Sequence, residues 1–410
     1  MTLFPPLSED ASDAAAGQGP NHLAFVTSTP LSVAGGSGTY VGIRELARCL
    51  EAGGVRITTH APEFWLPSFT AKRVLFNLQV ASRLRRRPPD WVVGFDLDGF
   101  HYGRAPVAPY VASIKGVIAD ELKNERGLVR LLLGMQASLE RLAVRRARVV
   151  VATSRYSRDR IVEAYGISPA KIVLVPEPID VAAWEAERGA EGVSEAAPPA
   201  VLTVAHMYPR KNLGTLLRAY ALLTRDGVPF QAWLVGAGPC RREWERLSGS
   251  LGLTGRVEFL GTIPRRELVD RYRRAAVFCL PSRQEGFGIV FLEAMVNAIP
   301  IVAARAAAVP ETVADGEVGL LIDRRPGGAG EPPRPASDGP RAPAGYGGGG
   351  SAPGGGLSGG SGGGDVLDAW PGGPSRLLKN AHLRRWRTRA PPCIWTFLSS
   401  LSENGFISIL

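Results

Sequence analysis

The sequence predicts an α/β protein built as two similar halves, each a parallel sheet covered by helices on both faces, with one cleft between them. Two observations predict it. Short apolar runs alternate with amphipathic stretches from residue 22 to residue 323, and an Ala-, Glu- and Pro-rich stretch at 185–199 interrupts the alternation once. Alternation of this kind implies parallel pairing, because each crossover helix returns the chain to the start of the sheet. Ligands of such sheets sit beyond the carboxyl ends of the strands, so the Gly-bearing loops that follow strands are where chemistry is expected.

In the first half, the apolar run 22–28 leads through a Gly-rich turn, Gly35 to Gly38, into a helical pattern over 40–52. Further strands are expected at 55–59, 91–95, 110–113 and 149–153, separated by helical stretches such as 126–145. The second half repeats the pattern, with strands at 200–205, 231–235, 257–260, 277–280 and 300–303. Helices fall between them at 212–224, 241–249, 265–274 and 288–298. The expected domains are therefore 21–184 and 200–323, joined by a linker at 185–199.

The two ends read differently. Residues 1–20 mix acidic and small residues without the basic start and apolar run of a secretory signal, and read as a disordered leader. Residues 326–364 are dense in Gly, Pro and Ser, a composition that cannot bury a core, and 365–410 shows no sustained period. The whole of 324–410 is expected to be a low-complexity tail, disordered or foreign to the fold.

A net charge of +10 suits a polyanionic partner such as a phosphate, a nucleic acid or an anionic lipid surface. Only six of the 48 basic residues are Lys, so the Arg excess reads as easily as a bias of the coding sequence. The four cysteines lie far apart without a paired spacing, which suggests neither a metal cage nor a disulfide framework and fits a reducing cytoplasm. No stretch approaches the roughly 18 apolar residues of a membrane helix. Of the basic runs, Arg83 to Arg87 is a candidate for docking on an anionic membrane and Arg145 to Arg148 reads as a charged helix face. The interleaved aromatics that nucleic-acid stacking requires are missing.

The strongest local signal is the segment Pro281 to Met295, a strand end, a Gly-containing loop and an amphipathic helix. Gly286 and Gly288, flanking Phe287 and followed by Ile289, let the backbone approach a ligand, and free N–H groups at the helix start favour a diphosphate. Glu285 would sit beside the sugar. Glu293, in the second helical turn, is an acceptor suited to the hydroxyls of a ribose. The plainer alternative is a helix cap with a solvated Glu.

This segment resembles the E-x7-E signature of the retaining glycosyltransferases of family 4, which have the GT-B fold of two Rossmann-like domains. Residues 204–213, 234–239 and 257–261 resemble the first strands and loops of the family's second domain, and Gly35 to Gly38 resembles its N-domain loop that closes on the donor. The resemblance spans 22–323. It implies that the second domain holds a nucleoside-diphosphate sugar and the first a saccharide or lipid acceptor. It assigns catalysis to Lys211 and Glu285, and donor contacts to Gly36, Arg210, Lys211, Gly286, Phe287, Gly288, Ile289 and Glu293. No metal or other cofactor is implied, because cations of the protein serve the diphosphate. Asp98, His101 and Lys115 are candidate contacts to acceptor or sugar; Asp96-Leu97-Asp98 also reads as a D-x-D, a weak metal signature.

Two departures from the family pattern stand out. Ala205-His206 replaces a frequent Gly-Arg, so one cation is missing or depends on pH. Ala298 replaces a frequent Gly and is expected to strain a left-handed helix cap. The alternatives from other classes are a sugar-nucleotide epimerase and a catalytically silent nucleotide-sugar-binding protein. The expected location is the cytoplasm, with peripheral contact to the inner face of the membrane.

Overall fold

The computed structural model describes residues 21–31, 38–188 and 197–323. The leader 1–20, Gly36 with its loop, residues 189–196 of the linker and the tail 324–410 lie outside the described residues.

The first sheet has the order β2-β1-β3-β4-β5-β6 and every pairing is parallel. Its strands are β1 (His22–Val26), β2 (Arg56–His60), β3 (Trp91–Phe95), β4 (Tyr110–Ile114), β5 (Val149–Ala152) and β6 (Ile172–Leu174). The helices are α1 (Gly38–Ala52), α2 (Phe69–Arg86), α3 (Ile118–Glu121), α4 (Gly127–Arg146) and α5 (Arg155–Tyr165). Central strands β3 and β4 are buried nearly throughout, as strands covered on both faces must be. Phe25 and Phe95 meet edge to face at 5.0 Å under α1.

The second sheet, also parallel, has the order β12-β11-β10-β7-β8-β9. It comprises β7 (Ala200–Val204), β8 (Gln231–Val235), β9 (Val257–Gly261), β10 (Val277–Leu280), β11 (Ile301–Ala304) and β12 (Gly319–Ile322). After α6 (Val181–Arg188), its helices are α7 (Leu213–Arg225), α8 (Arg241–Ser250), α9 (Arg265–Arg274), α10 (Ile289–Val296) and α11 (Val309–Thr312). Tyr272 stacks on Phe278, which meets Phe291 edge to face, so α9, β10 and α10 share one aromatic core.

The expected linker is shorter than its composition suggested. Residues 185–188 are the end of α6, and α6 is fastened to the second domain: Trp184 packs on Tyr272, Arg265 lies 4.2 Å over the Trp184 ring, and Glu187 pairs with Arg265. The first strand also ends earlier than expected, at Val26, because Ser28 turns aside to bind Asp98.

Asp98 has no free face for a ligand, which corrects its expected role as a sugar or acceptor contact. Its carboxylate is fully buried and accepts from the Ser28 N–H at 2.6 Å, the Ser28 hydroxyl at 2.7 Å and the Asn77 amide at 2.8 Å. Arg73 lies 3.6 Å away and also donates to Ser28 and to Gln136 of α4. One buried carboxylate thus ties β1, α2 and the loop after β3, and burial of its charge is compensated by these donors. With Asp98 so committed and Asp96 accepting from the Lys115 N–H, the D-x-D offers no pair of outward carboxylates.

Helix α10 ends at Val296, two residues before the expected 298, and the left-handed conformation expected of Ala298 follows it. Asn297 caps it, and Ala298 follows in the left-handed region with φ of 55°. A side chain costs roughly 1 kcal/mol there, and glycine carries no such cost. Ala298→Gly should therefore raise unfolding free energy by about 0.5–1 kcal/mol, read as a higher urea midpoint with an unchanged slope.

Candidate active site

The carboxyl edges of the two sheets bring four loops together. The turn Pro209 to Lys211 follows β7, and the loop 281–288 follows β10. The two are bound to each other by Arg283 N–H donating to the Arg210 carbonyl at 2.7 Å and by the Asn212 amide donating to the Pro281 carbonyl. From the first domain, Lys115 stands at the end of β4 and Thr153 to Ser157 at the end of β5. Close backbone approach makes the assembly possible: a Cβ on Gly286 would lie 2.6 Å from the Lys115 carbonyl oxygen.

Lys211 and Glu285 meet at its centre. The Lys211 ammonium donates to Glu285 Oε1 at 2.6 Å, and the buried Ser282 hydroxyl donates to the same oxygen at 2.7 Å. Burial pushes the Glu285 carboxyl up, yet Lys211, Ser282 and Arg210 together hold it below the usual carboxylate value. Burial lowers the Lys211 ammonium from its ordinary value, helped by Arg210 and opposed by Glu285. Arg210 lies over the Tyr208 ring at 4.8 Å and reaches across the cleft to Glu121 of α3 at 3.2 Å. Lys115 makes a buried pair with Glu177 at 2.8 Å.

Gly288, with φ of 89°, caps the start of α10, so the helix begins one residue later than expected, at Ile289. Phe287 and Ile289 are buried, and the Phe287 carbonyl accepts from Thr312. Glu293 lies on the buried side of α10, where Tyr272 donates to it at 2.8 Å. Burial drives its carboxyl up to about 7, so it changes charge near neutrality.

Two further residues depart from expectation. His101 does not join the cleft: its charged neighbours are Arg85, Arg104 and Arg146, and Arg85 and Arg146 close the carboxyl ends of α2 and α4, the end of the domain opposite the carboxyl edge of the sheet. His206 does stand at the site, its ring 4.5 Å from Tyr208. Burial, with Arg210 and Lys211 beside it, lowers its pKa below the usual value and so disfavours its charged form. Sequence reasoning missed Ser282, Glu121, Glu177 and the hydroxyls of Thr153, Ser154 and Ser157. Only the Ser154 N-cap position carried a readable signal.

This arrangement, a buried Lys–Glu pair at the start of a helix between two Rossmann-like domains, suits an anionic leaving group. Comparison with known proteins agrees. Residues 188–326 match the family Glycosyl transferases group 1, and residues 34–183 match Glycosyltransferase Family 4. The GDP-mannose-dependent alpha-(1-6)-phosphatidylinositol monomannoside mannosyltransferase of Mycolicibacterium smegmatis is 30% identical over 307 residues, 69% of this chain and 74% of that protein. The D-inositol 3-phosphate glycosyltransferase of Corynebacterium efficiens is 33% identical over 198 residues, 45% of this chain and 46% of that protein. Among solved structures, the sucrose-phosphate synthase of Thermosynechococcus elongatus superposes with a TM-score of 0.60 at 20% identity, covering 74% of this chain and 86% of its own. That likeness concerns the fold. The chain belongs to the family 4 glycosyltransferases, enzymes of the GT-B fold that move a sugar from a nucleotide-sugar donor to an acceptor.

Proposed function

We propose that the chain transfers mannose from GDP-mannose to a saccharide or inositol headgroup carried by a lipid, with retention of configuration and with protein cations in the place of a metal. The observation that carries this reading is the buried Lys211–Glu285 pair beside the start of α10. Negative charge grows on the departing diphosphate, and Lys211, Arg210 and the first N–H groups of α10 are the fixed donors that meet it. Glu285 lies beside the sugar, and Lys115, at the facing edge, serves the acceptor side. Glu293 accepts from the ribose hydroxyls with the capacity that Tyr272 leaves. GDP-mannose is the donor to test first because the mycolicibacterial relative uses it.

The lipid acceptor has support of its own. No helix among the described residues is long and apolar enough to cross a membrane. The start of α2 and the outer face of α4, joined by Gln136 to Thr70 and Arg73, expose Trp65, Phe69, Leu128, Leu131 and Met135 beside Lys72, Arg126 and Arg130. A shallow groove of about 550 Å³ runs among Leu122, Arg130, Leu131 and Met135. Apolar side chains rimmed by cations suit an anionic lipid surface. This face, and not the Arg83 to Arg87 run at the far end of α2, is the proposed contact with the inner face of the membrane, for a chain working in the cytoplasm.

Three measurements test this reading. With GDP-mannose and lipid acceptors, Lys211→Ala and Glu285→Ala should each lower acceptor-dependent GDP release at least ~100-fold; release that persists in either variant contradicts the assignment. Because Glu293 ionises near pH 7, donor affinity should rise as pH passes upward through 7 and fall by up to about tenfold per unit below it. Glu293→Gln should flatten that profile. Co-sedimentation with anionic phospholipid vesicles should be lost in Leu131→Glu/Met135→Glu and kept in Arg85→Gln/Arg86→Gln, and the reverse order rejects the proposed face.

A further inference from the structure

The carbonyl of Gly286, next to Glu285, is held by the other domain. Three side chains at the end of β5 donate to it: Thr153 Oγ1 at 3.1 Å, Ser154 Oγ at 2.7 Å and Ser157 Oγ at 3.0 Å. A carbonyl can only accept, so all three hydroxyls are committed as donors. All three residues are buried.

The contact belongs to a closed ring of bonds. Glu311 of α11 accepts from the backbone N–H groups of Arg155 and Tyr156, both at 2.7 Å, and so fixes the start of α5, the turn that carries Ser154 and Ser157. Ala308, immediately before α11, returns its N–H to the Glu285 carbonyl at 3.3 Å. The ring thus runs from Glu285 and Gly286 to the start of α5, to Glu311, and through Ala308 back to Glu285. It crosses between the domains twice.

We propose that Thr153, Ser154 and Ser157 are positioning residues for sugar transfer: their hydroxyls set the loop carrying Glu285, and do so only when the two domains are together. The proposal rests on the transferase reading of the same cleft. The peptide between Gly286 and Phe287 is planar, so holding its carbonyl also fixes the Phe287 N–H on the opposite side. Glu285 precedes that peptide and the start of α10 follows it, so both are set at once. In the proposed reaction the donor also meets Lys211 and Arg210, which these hydroxyls do not hold, so its binding weakens far less than transfer slows. Transfer needs the loop held, and misplacement by about 1 Å costs on the order of 100-fold in rate.

The test uses the full chain and four variants: Thr153→Val, which keeps shape and loses the hydroxyl; Thr153→Ser, which keeps the hydroxyl and loses the methyl; Ser157→Ala; and Thr153→Val/Ser157→Ala. The expected result is a kcat lowered about tenfold by Thr153→Val and about 100-fold by the double variant, with GDP Kd changed by less than about threefold and Thr153→Ser near wild type. A kcat within twofold of wild type in the double variant overturns the proposal. So does Thr153→Ser losing as much as Thr153→Val, which marks a packing role. Hydrogen exchange supplies a readout that does not depend on turnover: the amides of Phe291 and Ala308, which donate to the Gly288 and Glu285 carbonyls of this loop, should exchange at least about tenfold faster in the double variant, with those of 201–204 unchanged. Unchanged exchange at Phe291 and Ala308 rejects the proposal. A wild-type chain that transfers to no acceptor counts against the function proposed above, and the exchange result still decides the role of the hydroxyls.

Discussion

Charge in the cleft has to be paired, and much of the structure is arranged around that requirement. An ionised group taken out of water costs several kcal/mol unless a counter-charge and hydrogen bonds replace its solvent. Lys211 meets Glu285, Lys115 meets Glu177, and Arg210 meets Glu121 across the cleft. The pairs demand close loops, and the close loops demand Gly286 against the Lys115 carbonyl and Asn212 in the left-handed region after Lys211. In the proposed reaction an anionic donor adds its charge to that of the carboxylates already paired with Lys211 and Arg210.

Much of this was legible in the sequence. Strands β3, β8 and β10 have the bounds their apolar runs predicted, because strands covered on both faces are written as unbroken apolar text. Helix α2 was not singled out, since its buried side carries Arg73 and Asn77, whose partners Asp98 and Gln136 are far away in sequence. Strand β6 has three residues, too few for a pattern. Glu285 and the Gly286 to Ile289 loop were named from local text and Lys211 from the family resemblance, and the structure brings them together. Asp98 and His101 share the loop after β3 with each other and not with the site, because that loop turns inward to the Asn77–Asp98 network and then away from the cleft. Hydroxyls of Thr153 and Ser157 could not be read at all: they take their meaning from a carbonyl about 130 residues away, and a backbone carbonyl leaves no mark in a sequence.

His206 shows how a lost charge is absorbed. Where the family resemblance leads one to expect an arginine, this chain has an imidazole whose charged form is disfavoured by burial and by its two cationic neighbours. Its ring lies against Tyr208, and the other partner of Tyr208 is the Arg210 guanidinium. Tyr208 thus touches both His206 and Arg210, and its ring is one contact that orients the Arg210 guanidinium in the cleft. Two cations, Lys211 and Arg210, are then left to carry the attraction for a diphosphate in the proposed reaction.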